Sequence, residues 1–225
     1  MSNSKLFVAE AIGTFFLCFA GIAAIVNGNA GLVGIALAHG LALSIAVSIF
    51  AGISGGHHNP AVTIGMLSTG RITPPLAGLY IVAQLVGAIV AAFACKLIFS
   101  EAAVAAVKLG IPLPPETGVS VFVVLLTEFI LTFLLMTAIF GTAVDPRAAG
   151  MKLGGFAIGL TVAFDILAAG PITGASMNPA RSFGPALVYG YFDWHWCYWI
   201  APVAGAVVAA QLYHNLLLEP EKRAN

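Results

Sequence analysis

The chain has 225 residues, 60% hydrophobic and 8% charged, with nine Lys or Arg balanced by nine Asp or Glu. Zero net charge excludes a nucleic-acid partner, which needs a basic surface, and this apolar content excludes an ordinary water-soluble domain. Three scattered cysteines, Cys18, Cys95 and Cys197, give neither a disulfide framework nor a metal-ligand spacing.

Taken in order, the first element is an apolar run over residues 7–26, preceded by the single basic residue Lys5 and followed by no small-residue cleavage site, so it reads as a retained spanning helix. It carries Glu10, a carboxylate that is expensive inside a membrane unless several donors satisfy it. The second run, 31–53, contains His39 among Ala, Leu and Gly. Next comes Gly55-Gly56-His57-His58-Asn59-Pro60-Ala61-Val62-Thr63, which reads as a helix start. Asn is a favoured N-cap, and Pro is favoured at the first helical position, where a missing N–H costs nothing. Only the short apolar segment 61–67 follows, well below the roughly 20 residues needed to cross a bilayer. The adjacent imidazoles of His57 and His58 diverge, so they do not read as a metal pair; His57 reads as a loop-holding residue and His58 as one facing the inner mouth.

Residues 76–99 form the third span, and 100–118 a connecting loop. The fourth span, 119–143, carries Glu128; the fifth, 151–170, carries Asp165 and Ile166. Asp165, one residue from Ile166 and so about 100° away around a helix, reads as a structural anchor. Then Thr173-Gly174-Ala175-Ser176-Met177-Asn178-Pro179-Ala180-Arg181-Ser182 repeats the helix-start signature ahead of a second short segment, 180–189, and the sixth span is 196–218.

The chain repeats itself. Glu10 matches Glu128 at an offset of 118, Asn59 matches Asn178 at 119, and the run from Gly87 matches the run from Gly205 at 118. The repeats cover about 5–99 and 119–218 of one membrane domain over 1–225, and each holds three full spans and one half span. An odd number of crossings inverts the second copy. The fold class is therefore an all-α membrane protein with six transmembrane helices and two half-spanning re-entrant helices. The Asn-capped ends meet near the midplane, where irregular backbone is tolerated only if it is buried or lines water. Carbonyls of Gly55, Gly56, His57, His58, Gly174, Ala175 and Ser176 are expected to line that water, with free amide groups of Asn59 and Asn178 between them, while Glu10 and Glu128 tie down the extended backbone. With both termini on one side, that side collects Lys5, Arg71, Arg147, Lys152, Lys222 and Arg223 against Lys96 and Lys108 on the other, which places the termini in the cytoplasm.

These motifs resemble the aquaporin, or major intrinsic protein, family over essentially the whole length. The carriers are Ala9-Glu10-Ala11 to Thr14, Ser54 to Thr63, and Met177 to Ala186. Within the family, Asp165 to Pro171 and Trp194-His195-Trp196 are similar to the plant tonoplast-intrinsic type and its ammonia-permeable animal relative. The resemblance implies a homotetramer with a pore in every protomer and a four-residue filter at His39, Ile166, Ala175 and Arg181. Strict water channels of the family usually have an aromatic and a His at the first two places, and glycerol channels an Asp after the Arg; here stand His39, Ile166 and Ser182. The function implied is passive conduction of water and small neutral solutes, including ammonia and hydrogen peroxide, without catalysis, cofactor or metal. A strict water channel, a secondary transporter with broken helices and a structural junction protein are the alternatives. A cell membrane is the expected location and a vacuolar membrane the second.

Overall fold

The computed structural model describes residues 1–148 and 153–218, and all regular structure among them is helical. Among the described residues nine α-helices follow one another: α1 (Asn3–Asn27), α2 (Gly31–Ser54), α3 (Pro60–Ser68), α4 (Pro74–Ile98), α5 (Glu101–Ala106), α6 (Val121–Ile139), α7 (Gly154–Thr173), α8 (Pro179–Tyr189) and α9 (Cys197–Leu212). With the π turns that extend α6 to Val144 and α9 to Leu217, six of these are long and apolar enough to cross a membrane. The half-helices α3 and α8 have nine and eleven residues.

Several ends differ from the sequence reading for local reasons. Ser120 caps α6 by accepting from the Val123 amide at 3.3 Å, so the helix starts two residues after the apolar run does. The fifth span continues through Pro171 to Thr173 and stops where Gly174 turns left-handed at φ 79°. Its expected start, with Met151 and Lys152, lies outside the described residues, as do Lys222 and Arg223. The connecting segment is not a plain loop. Ser100 accepts from the Ala103 amide and starts α5, and Lys108–Gly110 follows as a tight turn.

The spanning helices are apolar on every side, so hydrophobicity alone does not orient them. On α2, Leu37, Leu41, Ile45 and Ile49 are exposed outward, whereas His39, Leu43, Val47 and Ala51, also four apart, face a central cavity. Small residues settle which faces meet. A Cβ added to Gly87 would overlap the Ala11 carbonyl, and one on Gly205 the Phe129 carbonyl, so α4 seats on α1 and α9 on α6 by the same device. Gly40 and Gly159 make the equivalent close approach between α2 and α7, the seam joining the halves. The half-helices cross this seam. The first-half α3 packs chiefly on α9, and the second-half α8 on α4.

Gly159→Val should be poorly tolerated, because its side chain would displace both the Gly40 carbonyl and Ser44. Overpacking of this kind costs about 1–3 kcal/mol, read as a lower melting temperature in detergent. Gly52→Val, where an added Cβ meets nothing within 4 Å, is the control and should melt with the parent.

Candidate functional site

Each half-helix begins on its asparagine. Asn59 Oδ1 accepts from the Ala61 amide at 2.8 Å, and Asn178 Oδ1 from the Ala180 and Arg181 amides at 3.0 and 3.3 Å. The side-chain amides are not wholly free, a correction to the sequence reading. Asn59 Nδ2 donates to the Met177 carbonyl at 2.8 Å, and Asn178 Nδ2 to the His58 carbonyl at 2.9 Å. Each NH2 has two protons, so one from each remains for the space between the helix ends.

Those crossed bonds require both loops to hold a strained shape. His58, Ala175 and Met177 have φ of 48°, 44° and 54°, a region that side-chain-bearing residues enter at roughly 1–3 kcal/mol each. Two fully buried carboxylates impose it. Glu10 accepts from the Ser54 hydroxyl at 2.6 Å, the His57 and His58 amides at 3.0 and 2.7 Å, and Gln84 at 2.7 Å. Glu128 accepts from the Thr173 hydroxyl at 2.7 Å and the Ser176 and Met177 amides at 2.9 and 2.8 Å. The neighbouring roles are also duplicated. Tyr80 donates to the Ser54 carbonyl at 2.7 Å and Tyr198 to the Thr173 carbonyl at 2.6 Å. Sequence reasoning missed Ser54, Thr173, Tyr80 and Tyr198, although they recur at the same offsets, 119 and 118, as the motifs it used.

A cavity of about 390 Å³ runs from Arg71 and Leu76, on the side carrying the N-terminus, past both asparagines to His39 and Arg181. Leu43, Val47, Val62, Leu135 and Val162 form its apolar wall. Gly55, Gly56, His57, Ala175 and Ser176 lie on the other wall. Thr63 gives its one hydroxyl proton to the Asn59 carbonyl, so the 3.1 Å contact with His57 is a bond donated by Nδ1, and His57 Nε2 is left as an acceptor.

At the far end the Arg181 guanidinium, 2% exposed, is held between two acceptors. Its Nη1 donates to the Gly110 carbonyl at 2.8 Å, and its Nη2 approaches His39 Nε2 at 3.3 Å. His39 Nδ1 lies 2.9 Å from the Ile35 carbonyl, which can only accept, so the proton is on Nδ1 and Nε2 accepts from arginine. Both ring nitrogens are then engaged. Of these two side chains, what is left unengaged is the remaining N–H groups of Arg181.

Four expected placements change. His58 faces no mouth: it is fully buried beside Gly13 and Phe50, 3.6 Å from Glu10, and its carbonyl is used by Asn178. Gly174 is absent from the cavity lining because it caps α7 and packs against Pro112. Ile166 follows Ile158 and Val162 at four-residue spacing along α7 and is buried in the same core cluster as Ala175, but unlike Ala175 it is not among the residues that line the open cavity. Asp165 anchors nothing: it is fully buried and neither carboxyl oxygen has a hydrogen-bond partner among the described residues.

Comparison with known proteins gives a consistent result. The family model for "Major intrinsic protein" matches residues 1–213. The chain is 43% identical to "Aquaporin TIP4-4" of Zea mays over 94% of its length and 86% of that protein's. It is 45% identical to "Nodulin-26" of Glycine max over 92% and 76%, and 39% identical to "Aquaporin TIP2-1" of Arabidopsis thaliana over 97% and 89%. The aquaglyceroporin structure from Plasmodium falciparum superimposes with a TM-score of 0.86, at 26% identity, covering 96% of this chain and 97% of that one.

Glu128→Gln keeps the shape but replaces one acceptor oxygen with an NH2 that faces amide donors. At least one buried N–H is then left unpaired, at about 1–3 kcal/mol. The variant should melt earlier in detergent and conduct less water in proteoliposomes, whereas Glu116→Gln, exposed in the connecting segment, should match the parent in both.

Proposed function

Because the chain belongs to the major intrinsic protein family, it is an integral membrane channel for water and small solutes, and we propose that its pore also passes ammonia and hydrogen peroxide. The observation that carries this reading is the far end of the cavity, where Arg181 and His39 meet the methyl of Ala175; aliphatic Ile166, buried in the same core cluster as Ala175, is proposed as the fourth filter position. Water gains most from a filter that offers donors and acceptors on several walls. Here His39 is occupied and two positions are apolar, which lowers water's advantage over a solute such as ammonia, whose lone pair needs a single donor. Arg181 supplies that donor.

Conduction uses no chemistry beyond hydrogen-bond exchange. A solute entering past Arg71 meets acceptors along the Gly55–His57 backbone and at His57 Nε2, then one amide proton each from Asn59 and Asn178. The positive ends of α3 and α8 converge at this point, and the fixed charge of Arg181 follows, so cations including hydronium are repelled. Glu10 and Glu128 act as loop anchors in this scheme, not as a proton relay, because their oxygens are occupied by backbone and hydroxyl donors. The same occupancy disfavours a coupled transporter.

The working unit is proposed as a homotetramer with one pore per protomer, the outward apolar stripe of α2 facing lipid or a neighbouring copy. Lys5, Arg71 and Arg147 support a cytoplasmic position for the terminal side. The proposed location is a cell membrane, with a vacuolar membrane as the second possibility.

Ile166→His tests the substrate reading. It places a ring and a polar atom at the proposed fourth filter position, so ammonia flux in proteoliposomes should fall several-fold relative to water flux when alkalinisation and shrinkage are followed together. An unchanged ratio in a folded variant would remove Ile166 from the filter and with it the basis for ammonia selectivity.

A further inference from the structure

The turn at Lys108, Leu109 and Gly110 is left-handed at three successive residues, with φ of 46°, 55° and 69°. Only the last of them is a glycine, so the turn does not hold this shape unaided. Leu109, fully buried, is fixed among Ile22, Val26 and Val104, and Gly110 rests on Ile25. Those contacts tie the turn to α1 and to its own segment. The turn meets α8 at two other points. The Gly110 carbonyl accepts from Arg181, in the first turn of α8, and the Lys108 ammonium stands 4.4 Å from the centre of the Tyr191 ring, just beyond its last turn.

We propose that Lys108 is a positioning residue for Arg181: its contact with Tyr191 clamps the left-handed turn against α8, keeps the Gly110 carbonyl on the guanidinium, and so sets the size of neutral solute that passes. The inference rests on the reading of Arg181 and His39 as the filter. Arg181 has one charge-bearing arm on Gly110 and the other on His39. If the turn relaxes, the first arm loses its acceptor, and the guanidinium is free to swing out of the constriction. The opening admits solutes one size larger than water and ammonia. A cation–π contact at a part-exposed site shifts such an equilibrium about two- to five-fold.

The test measures urea and water permeability of the full chain in proteoliposomes. Lys108→Ala, Lys108→Met and Tyr191→Leu should each raise the urea-to-water ratio by about two- to five-fold, while Lys108→Arg and Tyr191→Phe, which keep cation and ring, should match the parent. Lys108→Gly relieves the strained φ yet removes the cation, and the clamp requires it to behave like Lys108→Ala. Loss of folding alone would reduce the amount of active channel, not the ratio. Arg181→Val is the reference. A parental ratio in Lys108→Ala and Tyr191→Leu beside an altered one in Arg181→Val overturns the clamp and leaves the filter standing; a parental ratio in all three overturns both.

Discussion

Two buried carboxylates hold the irregular backbone of this membrane protein in place. A span carrying an ionised side chain and a loop carrying bare amides are each costly in hydrocarbon, and the structure sets each cost against the other. Glu10 is met by four donors and Glu128 by three, among them the amides of His57, His58, Ser176 and Met177 that no helix could satisfy. Net gains of about 1.5–3 kcal/mol for a hydrogen bond to a charged group are enough, taken together, to keep three side-chain-bearing residues left-handed. Everything at the pore depends on that shape. The carbonyls of His58 and Met177 reach the opposite asparagine only because the backbone turns there, and the crossed bonds set how many amide protons face the water.

Much of this was legible in the sequence because it is local or repeated. The Asn-Pro pairs specify their own caps, and the recurrence of Glu and Asn at offsets of 118 and 119 reveals two halves that must invert. What stayed hidden depends on the halves meeting. Nothing in Asn59 or its neighbours says that its amide will find the Met177 carbonyl, since that bond spans 118 residues. His58 and Asp165 were misplaced for a related reason. A helix or loop that is apolar all round gives no period from which to tell the pore side from the packed side, so glycine contacts, not hydrophobicity, fix the rotation. The tight turn before Gly110 escaped because neither Lys108 nor Leu109 favours a positive φ; its conformation is imposed by α1 and α8.

The two halves do not use their shared plan identically. Gln84 adds a fourth donor to Glu10 and also donates to Thr63 at 3.0 Å, whereas the second half has Pro202 at the corresponding offset of 118. Conversely, Arg181 occurs only in the second half, where the first has Val62 at an offset of 119. One half thus carries the more heavily bonded loop and the other the charge. The two ends of the cavity therefore differ in side chains at places where the repeats have diverged.

The crossed asparagine bonds also govern how the molecule is made. When α3 first enters the membrane, the His58 carbonyl and one proton of Asn59 have no partner, and α9, the helix on which α3 packs, has not been synthesised. At translation rates of about 5–20 residues per second, Asn178 follows Asn59 by roughly 6–24 seconds. Throughout that interval the first re-entrant segment lacks its polar partner across the midplane and has only α4 of the helices on which it chiefly packs. The midplane of the channel, however complete the three spans of the first half look, is finished only when the last helix packs against α3.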